Sequence, residues 1–507
     1  MRQPAAWAAV ALAAVTIVAY ARFLGTGFAA TDTLPLIETS RLNGPGDALR
    51  LFQEPVMAGT RFVEGEIVYR PFVSLTLGID HLVWGLNPFG YHLTNLALHL
   101  ASVIGVFALL TLLGLRWWSS LAGAALFALH PLVVASVPVI ARRDSVLPVT
   151  AFVWAAVLLL AAQHVRGVPR VAALVGCYAL GAVALLSKES AFVALALLPL
   201  VLIARSLVSC SSVPRILRDA VPMIPLFAVA IAIFGVRWAV LGGLGGAPDN
   251  KALLVFDLDQ YGQTLGAFTR DLLWPFAWIA PSTRLIWPRI AGVIVLALAV
   301  SVPWLPRRHA LLAAAGAAWI VAFGAFAVVF KVATIAWLAY FVLVGVAILF
   351  AAALEGASLQ VRRTGRAGRR AVALAASGLL LGGLAVFGVA SLRESALLRD
   401  YYQWDVAGQV TARFTDALTD CIAGTPGISH VRLRSLPGSF DDGQIATSLL
   451  GVTLLEDYTI DAALKLAQPD RSTSVEVESW ATLRAGAETL TIRCERNGDQ
   501  AVLTSTS

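Results

Sequence analysis

Charge is what this chain has least of. Of its 507 residues only 14% are Asp, Glu, Lys or Arg, against 58% hydrophobic, and mean hydropathy is +0.77. That balance excludes one or two soluble domains and describes a polytopic membrane protein. Walker A loop, dinucleotide fingerprint and nucleophile elbow are all missing, so the usual motifs for nucleotide hydrolysis, Rossmann redox chemistry and serine hydrolysis are absent. There is no internal repeat and no low-complexity tract. Cysteine is scarce, with four residues in all. Cys177 and Cys210 lie in or beside apolar runs and read as packing residues. Cys421 and Cys494 stand in the hydrophilic tail and would pair if that tail is extracytoplasmic. The loop they close would contribute about 4 kcal/mol in the chain-entropy model.

The net charge of +7 would suit nucleic acid, but the basic residues fall in short tracts between apolar runs, as cytoplasmic loops do under the positive-inside bias. No nucleic-acid partner is expected. Runs long enough to span a bilayer predict helices near 5–24, 92–113, 119–140, 146–163, 171–187, 190–206, 220–241, 288–305, 310–330, 334–354 and 371–392. The first reads as a retained anchor rather than a cleaved signal peptide. Arg166 and Arg170, then Arg205, Arg215 and Arg218, then Arg307 and Arg308, and finally Arg362 to Arg370 mark the cytoplasmic side. About eleven spans with a cytoplasmic N-terminus leave the tail outside. The segment 257–281 is apolar but carries Arg270-Asp271, and is expected as an amphipathic or re-entrant piece on the outer face.

The fold expected is therefore an all-α polytopic membrane domain over 1–392, with an external first loop at 25–91, and a small extracytoplasmic α/β domain over 393–507. In the tail, His430 to Arg434, Glu476 to Trp480 and Thr489 to Arg493 alternate like strands, while Gln409 to Cys421 and Tyr458 to Leu466 read as helices.

Three polar features share the outer face in this topology. Asp32 follows the first span, Arg142-Arg143-Asp144 fills the turn after the third, and Lys188-Glu189 fills the turn after the fifth. A carboxylate at the membrane surface is a functional-site candidate, and two arginines in a short external loop break the positive-inside rule. Transfer of a group from a phosphate-bearing lipid to an acceptor fits this set: Arg and Lys hold the phosphate as its charge grows, and a carboxylate takes the acceptor's proton or holds a metal. Each piece also has a plainer account. Lys188-Glu189 would serve as an interfacial ion pair, and the arginines would bind membrane lipid head groups. His92, Asn95 and His99 share a helix face, and His130-Pro131 closes the third span; hydrogen-bonded packing inside the bundle is the reading for the histidines. No Cys or His set has structural-zinc spacing, no cofactor is assigned, and a divalent metal stays open.

Tyr69-Arg70-Pro71, Gly90-Tyr91-His92-Leu93-Thr94-Asn95-Leu96 with His99, Leu126 to Pro131 and Leu186-Ser187-Lys188-Glu189 follow one another in this order. Together they resemble the membrane part of the transmembrane and tetratricopeptide-repeat O-mannosyltransferases and their bacterial relatives, among the C-type (GT-C) glycosyltransferases. The resemblance implies a GT-C fold, a polyprenyl-phosphate sugar donor and inversion at the anomeric carbon. It places Asp32 as the first-loop catalytic acid, Arg143 as the arginine after the third helix, and Lys188-Glu189 as the family's Lys-Glu pair. The family often has two adjacent acids where Asp32 stands alone between threonines.

The expected function is thus an integral-membrane glycosyltransferase at the periplasmic face of a bacterial inner membrane, its acceptor unassigned. Asp32 is the expected base, Arg143, Lys188 and Arg142 the donor-phosphate ligands, and Glu189 the residue that orients Lys188. Asp144, Arg70, His92 and His130 are expected to support them. A lipid or sugar transporter or flippase, and a non-catalytic scaffold presenting the tail, are the alternatives; the missing repeat speaks against the transporter.

Overall fold

A backbone inside a bilayer has only itself to hydrogen-bond, so each apolar run folds as a helix. The computed structural model describes residues 2–29, 32–65, 67–208, 213–246, 304–330 and 338–363, with single positions in 259–272 and 371–383. In the C-terminal part it describes 402–423, 428–441, 455, 457–467, 474–484, 491–497 and 500–506. Among the described residues eight helices are long and apolar enough to cross a membrane, and the protein is a multi-pass membrane protein. The spans expected near 288–305 and 371–392 and the segment 257–281 lie almost wholly outside the described residues.

Helix α1 (Arg2–Tyr20) runs on as a 3-10 turn to Gly25. The first loop, expected as a loop throughout, carries helices of its own. They include α2 (Thr33–Thr39) and α3 (Pro71–Trp84). Fourteen residues are too few to cross a bilayer. With Ile79, Leu82 and Val83 exposed along it, α3 has the character of a helix lying in the interface. Helix α4 (Pro88–Leu112) starts four residues before the expected 92, because Pro88 suits the first turn and the Asn87 side chain accepts from the Phe89 amide.

The expected single span 119–140 is broken. Helix α5 (Trp117–Leu129) stops at His130, whose backbone is extended before Pro131. Two 3-10 turns, Pro131–Ala135 and Ile140–Arg142, follow before α6 (Arg143–Ala161). Arg143 and Asp144 therefore open a helix instead of lying in a loop. The bundle continues with α7 (Val168–Leu185), α8 (Ser190–Val208), α9 (Met223–Leu241), α10 (Arg307–Val329) and α11 (Ala339–Arg363). The last two pack backbone to backbone: a Cβ on Gly316 would stand 2.7 Å from the Gly345 carbonyl oxygen, the small-residue contact that lets membrane helices approach.

The C-terminal part has helices α12 (Tyr402–Ala423) and α13 (Asp457–Ala467) and six strands: β1 (His430–Arg434), β2 (Leu436–Asp441), β3 (Ser474–Val477), β4 (Trp480–Arg484), β5 (Thr491–Asn497) and β6 (Gln500–Thr506). One sheet has the order β3-β1-β6-β5, with β1 parallel to both neighbours and β5 antiparallel to β6; β2 and β4 form a second, parallel pair. The expected strand at 476–480 is two strands, β3 and β4, broken between Val477 and Trp480. Cys421 of α12 and Cys494 of β5 form a disulfide with their Cα atoms 6.0 Å apart, tying the helix to the sheet edge. Buried Val431, Leu433, Ala501 and Leu503 make the core side of the sheet, with Phe414 and Leu418 of α12 buried in the same core.

Candidate active site

The loop between α7 and α8, the start of α6 and the approach to α3 meet at the end of the bundle that bears the first loop. Arg70 forks between two acids there. Its Nη1 donates to Asp144 Oδ2 at 2.7 Å and its Nη2 to Glu189 Oε1 at 2.7 Å. Lys188 Nζ donates to Asp144 Oδ2 at 3.0 Å and to Ser145 Oγ at 2.9 Å. Arg237, near the C-terminal end of apolar helix α9, completes the group: its Nη1 lies 3.7 Å from Glu189 Oε2 and donates to the Tyr69 carbonyl at 3.2 Å. Three cations on two carboxylates leave an excess of one positive charge, and Arg142 sits one residue before α6.

Burial pushes Glu189 up, but Arg70 and then Arg237 outweigh it, so its carboxyl is held well below the usual carboxylate range. Burial pulls the Lys188 ammonium below its ordinary value, and Asp144 restores only part of that. A carboxylate with a depressed folded pKa stabilises the fold above its unfolded value, near pH 4.3, and the contribution is lost as pH falls below it toward the folded value. Glu189→Gln is therefore expected to lose less stability than the wild type between pH 7 and pH 4. Melting midpoints of the two proteins at both pH values check this, and an equal drop in both would remove Glu189 as the acid-sensitive group.

Three sequence assignments change. The hydrogen-bond partner that orients Lys188 is Asp144, 44 residues earlier, while Glu189 acts on the lysine through its charge. Arg143 is fully buried instead of facing the surface. Its Nε donates to Asn95 Oδ1 at 2.8 Å and its Nη2 lies 2.6 Å from Asp80 Oδ2, so two of its nitrogens are engaged inside the bundle. The most accessible side chain of the Arg70, Lys188 and Arg143 trio is Arg70, 17% exposed against 5% for Lys188 and 0% for Arg143. Arg70, expected only to support, is thus the cation a ligand meets first. His92 ties the start of the first loop, its Nε2 3.1 Å from Thr26 Oγ1 and 3.3 Å from the Gly27 carbonyl. His130 is buried and accepts from the Leu132 amide at 3.3 Å. Arg237 and Asp80 were missed as site residues, although an arginine inside an apolar run is a signal readable from sequence.

Asp32 meets the C-terminal part of the chain. It occupies the N-cap position of α2 yet its side chain makes no capping bond. Instead Asp32 Oδ1 accepts from the Tyr458 hydroxyl of α13 at 2.9 Å. Helix α2 packs against the Ile140–Arg142 turn, which links Asp32 to the start of α6. A cleft of about 520 Å³ opens between the first loop and α13, bounded by Glu38, Arg41, Asn43, Arg50, Thr60 and Lys465. Burial pushes the Glu38 carboxyl up, and Lys465 offsets part of that. Among the described residues no group of three or more His, Cys, Asp or Glu side chains is placed to hold a metal ion.

Part of the chain has curated relatives. It is 41% identical over 80 residues to protein O-mannosyl-transferase TMTC2 of Homo sapiens, which is 15% of this chain and 9% of that protein. That stretch is similar to O-mannosyl-transferases. A longer match reaches Tmtc2 of Drosophila melanogaster, 29% identical over 189 residues, 36% of this chain and 20% of that one. The chain thus spans a fifth or less of the length of these relatives. Among solved structures, ArnT from Cupriavidus metallidurans bound to undecaprenyl phosphate superposes with a TM-score of 0.48 at 16% identity, over 98% of this chain and 97% of that one. No family model matches the chain.

Proposed function

We propose that this protein is an integral-membrane glycosyltransferase moving a sugar from a polyprenyl-phosphate donor to an acceptor hydroxyl. The observation that carries the reading is the buried ion cluster at one bundle end, made from Arg70, Asp144, Lys188, Glu189 and Arg237, on the side where α2 presents Asp32. The local similarity to O-mannosyl-transferases supports it. Asp32 takes the proton of the acceptor hydroxyl, whose oxygen forms the new bond at the anomeric carbon. The old carbon–oxygen bond to phosphate breaks, and the phosphate leaves on its lipid carrying the electron pair. Arg70, with Arg142 and Lys188 behind it, stabilises that growing charge, and Asp144 and Glu189 hold the cations in place beforehand. The Arg143–Asp80–Asn95 group braces α6 against α3 and α4. The polar cleft beside Lys465 admits the acceptor's head group.

In this reading 1–392 is the catalytic membrane domain and 393–507 a soluble domain on the same side as the cluster, outside a bacterial inner membrane. The N-terminus is cytoplasmic, which the arginine tracts support. Purified protein in liposomes, given a panel of polyprenyl-phosphate sugars and a membrane extract as acceptor source, is expected to release polyprenyl phosphate from at least one donor. Movement of labelled lipid across the bilayer without release from any donor would replace the transferase with a transporter.

A further inference from the structure

The C-terminal part does not hang free of the membrane domain. One face of α13 lies along α2: Tyr458 reaches Asp32, and Ala462 and Ala463 pack with Leu34 in a small buried cluster joined by Phe28 and Leu466. Residues 458, 462, 465 and 466 recur at helical spacing and so share that face. Seven residues along from Tyr458, Lys465 acts on Glu38 at the other end of α2. Helix α12 closes the other side. A Cβ on Gly27 would stand 2.9 Å from the Gly408 carbonyl oxygen, and one on Gly408 would stand 2.7 Å from the Gly27 amide nitrogen. Only two glycines allow that approach. The first loop is thus held by two helices of the C-terminal part, at Gly27 and again from Asp32 to Glu38.

An aspartate at an N-cap ordinarily accepts from the amides of its own helix. Asp32 forgoes that bond and takes one from a residue 426 positions later. A tyrosine hydroxyl donating to a carboxylate fixes its rotation, and a general base must be so aimed to meet the proton it takes. We infer that Tyr458 is a positioning residue for Asp32, and that the C-terminal part is for this reason a component of the active site rather than an appended domain. The inference rests on the reading of Asp32 as the base. Among the described residues, charged groups on the elements packed here include Asp461 and Lys465, paired with each other at 2.8 Å, Glu38 and Arg41 of the loop, and Arg142 of the turn against α2.

Tyr458→Phe in the full chain removes one hydroxyl and keeps the ring. Losing a hydrogen bond to a charged group is expected to lower kcat roughly tenfold or more with KM little changed. A double-mutant cycle with Asp32→Asn supplies the second measurement: the two losses should not add, since a hydroxyl that acts by aiming the carboxylate has no base to aim once that carboxylate is gone. Full activity in Asp32→Asn overturns the base reading and the inference with it. A dead Asp32→Asn beside a Tyr458→Phe with wild-type kcat overturns the inference alone, as does a Tyr458→Phe that changes only the melting temperature.

Discussion

Asp32→Asn is expected to lower polyprenyl phosphate release by at least about a hundredfold, the scale of a lost general base. The substitution is close to isosteric, and the amide oxygen still accepts from Tyr458, so the contact between α2 and α13 survives. Asp32 is also half-buried at a helix end rather than inside the bundle. The melting midpoint in detergent should therefore stay near that of the wild type, and the loss should fall on kcat rather than on KM. Release is measured with the donor identified from the panel, at saturating donor. A variant within threefold of the wild type would remove Asp32 from the chemistry and leave Arg70 and its partners as a structural cluster.

Asp144→Ala is expected to cost about 3–5 kcal/mol of stability, the range for removing one partner of a buried ion pair. Asp144 is 4% exposed and accepts from both Arg70 and Lys188. Without it Lys188, itself 4% exposed, keeps only the Ser145 hydroxyl among its close partners on this side. Arg70 still has Glu189, so the ammonium bears most of the penalty. The double variant Asp144→Ala with Lys188→Met removes the stranded charge and should recover much of the loss, since a buried pair contributes little net stability against an apolar replacement. Midpoints of thermal unfolding in detergent for the two single variants and the double variant test this. If Asp144→Ala melts with the wild type, water reaches the cluster and the charges are not isolated as the geometry requires.

The site responds differently to the two changes because it is built in two parts. One part is a rigid set of charges on α6 and the α7–α8 turn, braced from below by Arg143 with Asp80 and Asn95. The other is a carboxylate on a short surface helix, held from above by α13. In the proposed function a phosphate meets the first part at Arg70, and an acceptor meets the second.

Much of this was legible in the sequence. Hydrophobic length is a local property, so the runs that became α1, α4, α6, α7, α9, α10 and α11 could be read off directly. Charges in apolar surroundings are costly wherever they sit, which is why Asp32, Arg70, Asp144, Lys188 and Glu189 stood out. In the tail β1, β5 and the two helices followed from period, whereas β2 and β6 were not expected and 476–480 is two strands; its two cysteines were the natural pair. What sequence could not supply was pairing, because ion pairs and hydrogen bonds form in space and carry no signature in spacing. Lys188 turned to Asp144 and not to its neighbour Glu189; Arg143 turned inward to Asp80; Arg237 entered from a helix whose pattern marked it as plain membrane span. The bond between Tyr458 and Asp32 was the least legible of all, since it depends on how the C-terminal part docks, and docking is decided by the buried face of α13 and the closeness that Gly27 and Gly408 permit.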